Sequence, residues 1–125
     1  LMVDHTFVYN GAVRRIKDSI DRAELGEVLY FDSVRINLGL IQSDVNVIWD
    51  LAPHDLSVMD YLIGKEPRSV HASGVSLVSG KQEELAYLSL NFDDKFIANF
   101  HVSWLSPVKI RRILVGGTQK MVVYD

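Results

Sequence analysis

The sequence predicts an α+β domain: two layers, with an open, mixed but largely antiparallel β-sheet and helices on one face. Two observations lead there. Apolar residues recur at helical spacing in two segments of the first half, and from Glu66 onward the pattern becomes a series of strand-like runs separated by short turn clusters. The chain has 125 residues, which is one-domain size, and its 48% hydrophobic and 23% charged residues are a composition that packs a core.

Residues 1–9 are rich in Val, Phe, Tyr and Thr. Asn10 is a capping residue for a helix over 11–23, with Val13, Ile16, Ile20 and Ala23 on one face and Arg14, Arg15, Lys17, Asp18 and Asp21 on the other. Leu25-Gly26 supplies its stop, and 28–38 switches to the period-two spacing of a strand. One strand face carries Val28, Tyr30, Val34, Ile36 and Leu38; the other carries Leu29, Phe31, Ser33, Arg35 and Asn37. The second face turns from apolar to polar along its length, which marks either a strand running from core toward a site or one leaving the core for solvent. A loop over 39–46 leads to a second helix over 47–63, with Leu51, His54, Val58, Tyr61 and Leu62 stacked together and Gly64 as its stop. Proline breaks a helix interior, so Pro53 is expected in the first turn, with regular helix starting near 49–52 and Asp50 at its N-terminus.

Five further strands are expected over 69–78, 84–92, 96–104, 108–115 and 119–124. The clusters Ser79-Gly80-Lys81, Asp93-Asp94-Lys95, Ser106-Pro107 and Gly116-Gly117-Thr118 read as turns, so successive strands are expected to pair antiparallel as a meander. Two helices cover one face of such a sheet, and an uncovered apolar face predicts homo-oligomerisation through the sheet. Trp49 and Trp104 are expected in the core or an interface.

A net charge of -3 argues against nucleic acid as a partner, because phosphate binding needs a concentrated basic surface. No apolar run approaches the roughly 18 residues of a membrane span, and 1–10 lacks the basic start and apolar centre of a signal peptide. The absence of cysteine removes disulfides and thiolate metal sites and fits a cytoplasmic location. A start at Leu1 and an end at Asp125 straight after a strand are expected of a piece of a longer protein.

The segment Trp49-Asp50-Leu51-Ala52-Pro53-His54-Asp55 is the most suggestive for chemistry. Asp50 and His54 are four apart, so on a helix they share a face, where a carboxylate orients an imidazole and raises its pKa. The same pair also suits a plain structural role, Asp50 as a helix cap and His54 as a hydrogen-bonded, partly buried residue. Arg35, Asn37, Gln42 and Asn46 lie around the loop feeding that helix and form either a hydrogen-bonding surface for a hydroxyl-rich ligand or a solvated loop. His5, His54, His71 and His101 are scattered and no H-E-x-x-H occurs, so no metal site is expected. Arg111-Arg112 reads as surface charge. No glycine-rich phosphate loop or G-x-S-x-G elbow occurs.

These residues resemble a known family. His5-Thr6-Phe7-Val8-Tyr9-Asn10 before a helix, Leu25-Gly26-Glu27-Val28 entering a strand, Arg35-Ile36-Asn37-Leu38-Gly39-Leu40, the Trp49 to Asp55 segment and Val102-Ser103-Trp104-Leu105 stand in matching order and spacing over essentially the whole chain. The chain is similar to the C-terminal substrate and oligomerisation domain of the glucose-fructose oxidoreductase/inositol dehydrogenase/rhizopine catabolism (Gfo/Idh/MocA) family of NAD(P)-dependent dehydrogenases, with its dihydrodipicolinate-reductase-like fold.

The resemblance implies that 1–125 is one substrate-binding and oligomerisation domain, partnered by a Rossmann domain that this sequence does not contain and that binds NAD or NADP. It implies oxidation of a secondary alcohol of a sugar, nucleotide sugar or cyclic polyol by hydride transfer. Asp50 and His54 align with the family's catalytic aspartate and histidine, which act with a lysine of the Rossmann domain. His54 is then the general base, Asp50 its partner, and Arg35, Asn37 and Asn46 candidate substrate contacts. The chain alone is expected to be inactive, since hydride transfer needs a cofactor held against the substrate. The alternative is a non-catalytic binding or scaffolding module of the same fold.

Overall fold

A computed structural model describes residues 5–93 and 95–125; residues 1–4 and the central Asp94 of the expected Asp93–Lys95 turn lie outside the described residues. After a 3-10 turn (Thr6–Tyr9), the elements are α1 (Gly11–Asp21), β1 (Val28–Leu38), α2 (Val47–Ile63), β2 (Ser69–Val75), β3 (Leu85–Asn91), β4 (Ile97–Ser103), β5 (Leu105–Gly117) and β6 (Met121–Tyr124). The strands form one mixed sheet in the order β2-β3-β4-β1-β5-β6. The expected α+β class, with an open sheet and helices on one face, is what the chain adopts.

Both helices begin at asparagine caps. Asn10 Oδ1 accepts the Ala12 N–H at 2.8 Å, and Asn46 Oδ1 accepts the Trp49 N–H at 3.1 Å. α1 stops at Asp21, two residues short of the expectation, and Ala23 at φ 56 begins the reversal that Gly26 at φ 72 completes. α2 departs from the expectation more clearly. Asn46, helped by a Val47 N–H bond to Glu83 O at 3.0 Å, starts the helix at Val47, which leaves Pro53 inside it. The buried stripe is Ala52, Asp55, Val58, Met59 and Leu62, one residue rotated from the expected one, so His54 is half-buried at its edge and Tyr61 is exposed.

The helix-covered sheet face is built in rows across β3, β4, β1 and β5: Leu90, Ala98, Phe31 and Val115, then Leu88, Phe100, Ser33 and Ile113. These residues are buried, and they form the core with Val13, Val47, Val58, Leu62 and Trp104. On the opposite face, Tyr87, Ile97, Met121 and Val123 are exposed.

The meander does not hold through the whole sheet. β1 lies between β4 and β5, parallel to β4 and antiparallel to β5. Trp104 makes the crossing: it is the single residue between β4 and β5, and its carbonyl accepts the Gly39 N–H at 3.2 Å beyond the end of β1. Ser106-Pro107 is not the expected turn. It falls in β5, where the β1–β5 register shifts between Ile36 and Leu38, and a bulge accommodates a residue with no N–H to give to the ladder. Gly116 and Gly117 also lie within β5 and not in a turn. A side chain at Gly116 would meet the Tyr30 ring at 2.0 Å, and one at Gly117 would meet Leu25 O at 2.2 Å.

Glu84 organises the connection between β2 and β3. Its buried carboxylate accepts the backbone N–H groups of Leu77 at 3.0 Å, Val78 at 2.8 Å and Ser79 at 2.6 Å. Hydrogen bonding from the Ser79 side chain, followed by these backbone donors, outweighs the burial that opposes ionisation and holds the Glu84 pKa down to about 2. A depressed carboxylate stabilises the fold above its ordinary pKa of 4.5, and that contribution is lost as pH falls through about 2. Paired thermal melts of wild type and Glu84→Gln are therefore expected to differ most above pH 4.5 and to converge toward pH 2. A gap of constant size across that window would refute the cradle.

Candidate functional site

The site lies at the start of α2, where the helix N-terminus meets the crossing over β1. Asp50, half-buried in the first turn, accepts the Trp104 Nε1–H at 2.8 Å. Trp104 is 1% exposed, so the core itself anchors this carboxylate. Trp49 beside it is 73% exposed and is not a core residue of the described chain. The helix start also grips the β2–β3 connection, because Asn46 Nδ2 donates to Glu83 Oε2 at 3.3 Å.

One turn on, His54 stands on the same helix face as Asp50. The Phe7 ring meets its imidazole edge to face, with centroids 5.6 Å apart and planes at 73°. Burial, and then the Arg35 cation, hold the His54 pKa below the ordinary histidine value; the carboxylates of Asp55 and Asp50 oppose them. The net effect favours a neutral imidazole, the form that accepts a proton.

The other candidates divide. Arg35 is 7% exposed and does not face solvent: its Nη2 donates to Asp55 Oδ1 at 2.7 Å and its Nε to Asp55 Oδ2 at 3.1 Å. Ser33 Oγ donates to the same Asp55 Oδ2. Asn46 is spent on capping α2, and Gln42 is exposed on the loop. Asn37 is different, for its buried Oδ1 has no hydrogen-bond partner among the described residues, and a Cβ added at Gly39 would touch both that oxygen, at 2.9 Å, and Trp104 Cδ1, at 3.6 Å. Asn37 therefore carries an unused acceptor beside the tryptophan that holds Asp50.

Sequence reasoning missed Asp55, Ser33 and Phe7. A signal for Asp55 existed: it interrupts the apolar stripe Ala52, Val58, Met59 and Leu62, and a carboxylate there needs a buried partner. The gradient along β1 is resolved by the same contact, because Ser33 and Arg35 stay buried and end on Asp55 rather than leaving for solvent.

The model of the GFO/IDH/MocA C-terminal domain family matches residues 13–123. The chain belongs to this family. No curated protein matches the chain. As a Gfo/Idh/MocA C-terminal domain it is similar in structure to an oxidoreductase from Pseudomonas syringae (TM-score 0.89, 16% identity), with 98% of this chain covering 35% of that one. It is similar also to the apo scyllo-inositol dehydrogenase of Lactobacillus casei (TM-score 0.85, 18% identity, 96% of this chain and 39% of that one). A third is the WlbA dehydrogenase of Bordetella pertussis, crystallised with NADH and UDP-GlcNAcA (TM-score 0.85, 17% identity, 98% of this chain and 42% of that one). At these identities the likeness is one of fold. This Gfo/Idh/MocA domain spans about two fifths or less of the length of those proteins.

Proposed function

We propose that this chain is the substrate-binding and assembly domain of an NAD(P)-dependent dehydrogenase that oxidises a secondary alcohol of a sugar, nucleotide sugar or cyclic polyol. The observation that carries the reading is the placement of a core-anchored Asp50 and a neutral-favouring His54 one turn apart on one helix face. Family membership supports it, as do relatives whose crystals hold NAD(H) with scyllo-inositol and NADH with myo-inositol.

His54 accepts the hydroxyl proton of the alcohol as the carbonyl forms, and returns it in the reverse direction. Asp50, fixed by Trp104, stabilises the imidazolium that results or takes a substrate hydroxyl. Asn37, whose buried Oδ1 has no hydrogen-bond partner among the described residues, is the other candidate contact for a substrate hydroxyl. A bound nicotinamide would accept the hydride. Gly116 and Gly117 lie packed within a strand and not at a helix start, so that pair does not form a phosphate cradle, and in this reading an adjoining domain would hold the cofactor.

The test is reduction of NAD or NADP by the protein that carries this chain, across a panel of sugars, nucleotide sugars and cyclic polyols. Turnover of a panel member is expected. No turnover with either cofactor would overturn the reading in favour of a non-catalytic module.

The open sheet face, with Tyr87, Ile97, Met121 and Val123 exposed, is proposed to pair with a second copy of the chain. Light scattering is expected to give a dimer or larger assembly, and Tyr87→Glu is expected to dissociate it. A wild-type monomer across the whole concentration range would refute the pairing.

A further inference from the structure

We infer that Arg35 and Asp55 form a positioning device for His54: a buried ion pair that clamps the imidazole through Phe7 and sets the field in which it exchanges a proton. The inference rests on the proposed role of His54 and adds residues to it.

The pair occupies an unlikely place for charge. The side chains of Arg35 and Asp55 are 8% and 3% exposed, in the layer between α2 and the sheet that Phe31, Phe100, Val58 and Ile113 fill with apolar groups. A buried ion pair commonly stabilises a fold no better than apolar residues of the same volume, so stability gives little account of it. Its connections give a better one. The Arg35 guanidinium carbon lies 4.7 Å from the Phe7 ring centroid, and Phe7 in turn meets the His54 ring. Asp55 is the residue after His54 on α2, held by three donors from Ser33 and Arg35. The pair thus reaches His54 from two sides, through the 3-10 turn and through the helix backbone.

The charged groups around His54 come from every element packed against it. They are Arg35 on β1, Asp50 and Asp55 on α2, and His5 just before the 3-10 turn. Arg111, opposite Arg35 in the β1–β5 register, adds a second guanidinium on that strand face. Arg35 and His5 disfavour imidazolium, whereas Asp55 and Asp50 favour it, and the cation of Arg35 acts more strongly than either carboxylate. Removing the whole pair is therefore expected to raise the proton affinity of His54, and neutralising Asp55 alone to lower it.

Imidazole NMR pH titrations of the chain read this directly, with His54 assigned by its loss in His54→Asn and the exposed His71 as internal reference. The double variant Arg35→Met/Asp55→Leu keeps the site filled without charge. It is expected to raise the His54 midpoint and to abolish the Phe7–His54 ring cross-peaks. Asp55→Asn, close to the native shape, is expected to move the midpoint downward. Arg35→Lys, which keeps the charge, is expected to stay near wild type. In the protein carrying a cofactor domain, the acid limb of kcat/KM is expected to follow these midpoints in the same order. Either of the first two variants, folded and with an unmoved His54 midpoint, would overturn the inference. Wild-type turnover by His54→Asn would instead overturn the catalytic reading, and the NMR result would stand apart from it.

Discussion

If His54 is the proposed acid/base, His54→Ala is expected to lower the turnover of the protein carrying this chain by roughly 10²-fold or more, the usual worth of a positioned acid/base group. The expectation follows from the geometry of one helix turn. His54 is half-buried against Phe7, shares a face with an Asp50 that Trp104 fixes at 2.8 Å, and lies under the influence of a nearby guanidinium. In that reading, losing His54 would remove the acceptor for the hydroxyl proton while leaving the substrate's other hydrogen bonds in place, so kcat is expected to fall further than KM rises. Wild-type kcat/KM is expected to fall as pH drops through the His54 midpoint, which lies below the ordinary histidine value, and His54→Ala lacks that limb. Added imidazole restores part of the rate if the lost group is a proton acceptor. A His54→Ala rate within a fewfold of wild type, with the fold intact by thermal melt, would end the assignment.

The sequence made the element types legible where the period was long and clean. β1 matches its expected bounds, its buried residues alternating at Phe31, Ser33 and Arg35, and α2 matches in its outer bounds, though not in its buried stripe, because Asn46 and Gly64 bracket it. It did not make the sheet order legible. Whether β1 lies at an edge or between β4 and β5 depends on contacts far apart in the chain, and the crossing that decides it is made by one residue, Trp104. Turn-type residues misled for a related reason. Ser106-Pro107 is a bulge and Gly116-Gly117 is a close approach under Tyr30 and Leu25, and neither role differs from a turn in local composition. The candidate site was half legible. The four-residue spacing of Asp50 and His54 is a local property, whereas the burial of Arg35 needed Asp55 from another element to be intelligible.

Arg35→Ala is expected to destabilise the fold by about 3–5 kcal/mol, because it strands the Asp55 carboxylate without its two guanidinium donors in a buried layer. Ser33 alone remains to hold it. In a chain of this size that loss lowers the melting temperature by roughly 10 °C or more. Asp55→Ala is expected to cost a similar amount, because the buried Arg35 guanidinium, on the same strand face as Arg111, would lose its carboxylate partner. The double replacement Arg35→Met/Asp55→Leu removes both charges and refills the volume, and it is expected to melt within a few degrees of wild type. The two single losses should therefore greatly exceed the double one, a coupling that a pair of independent surface charges cannot produce. Thermal or urea melts of the four chains measure it. Single variants within about 1 kcal/mol of wild type would mean that the pair is open to water and that Asp55 is not held as described.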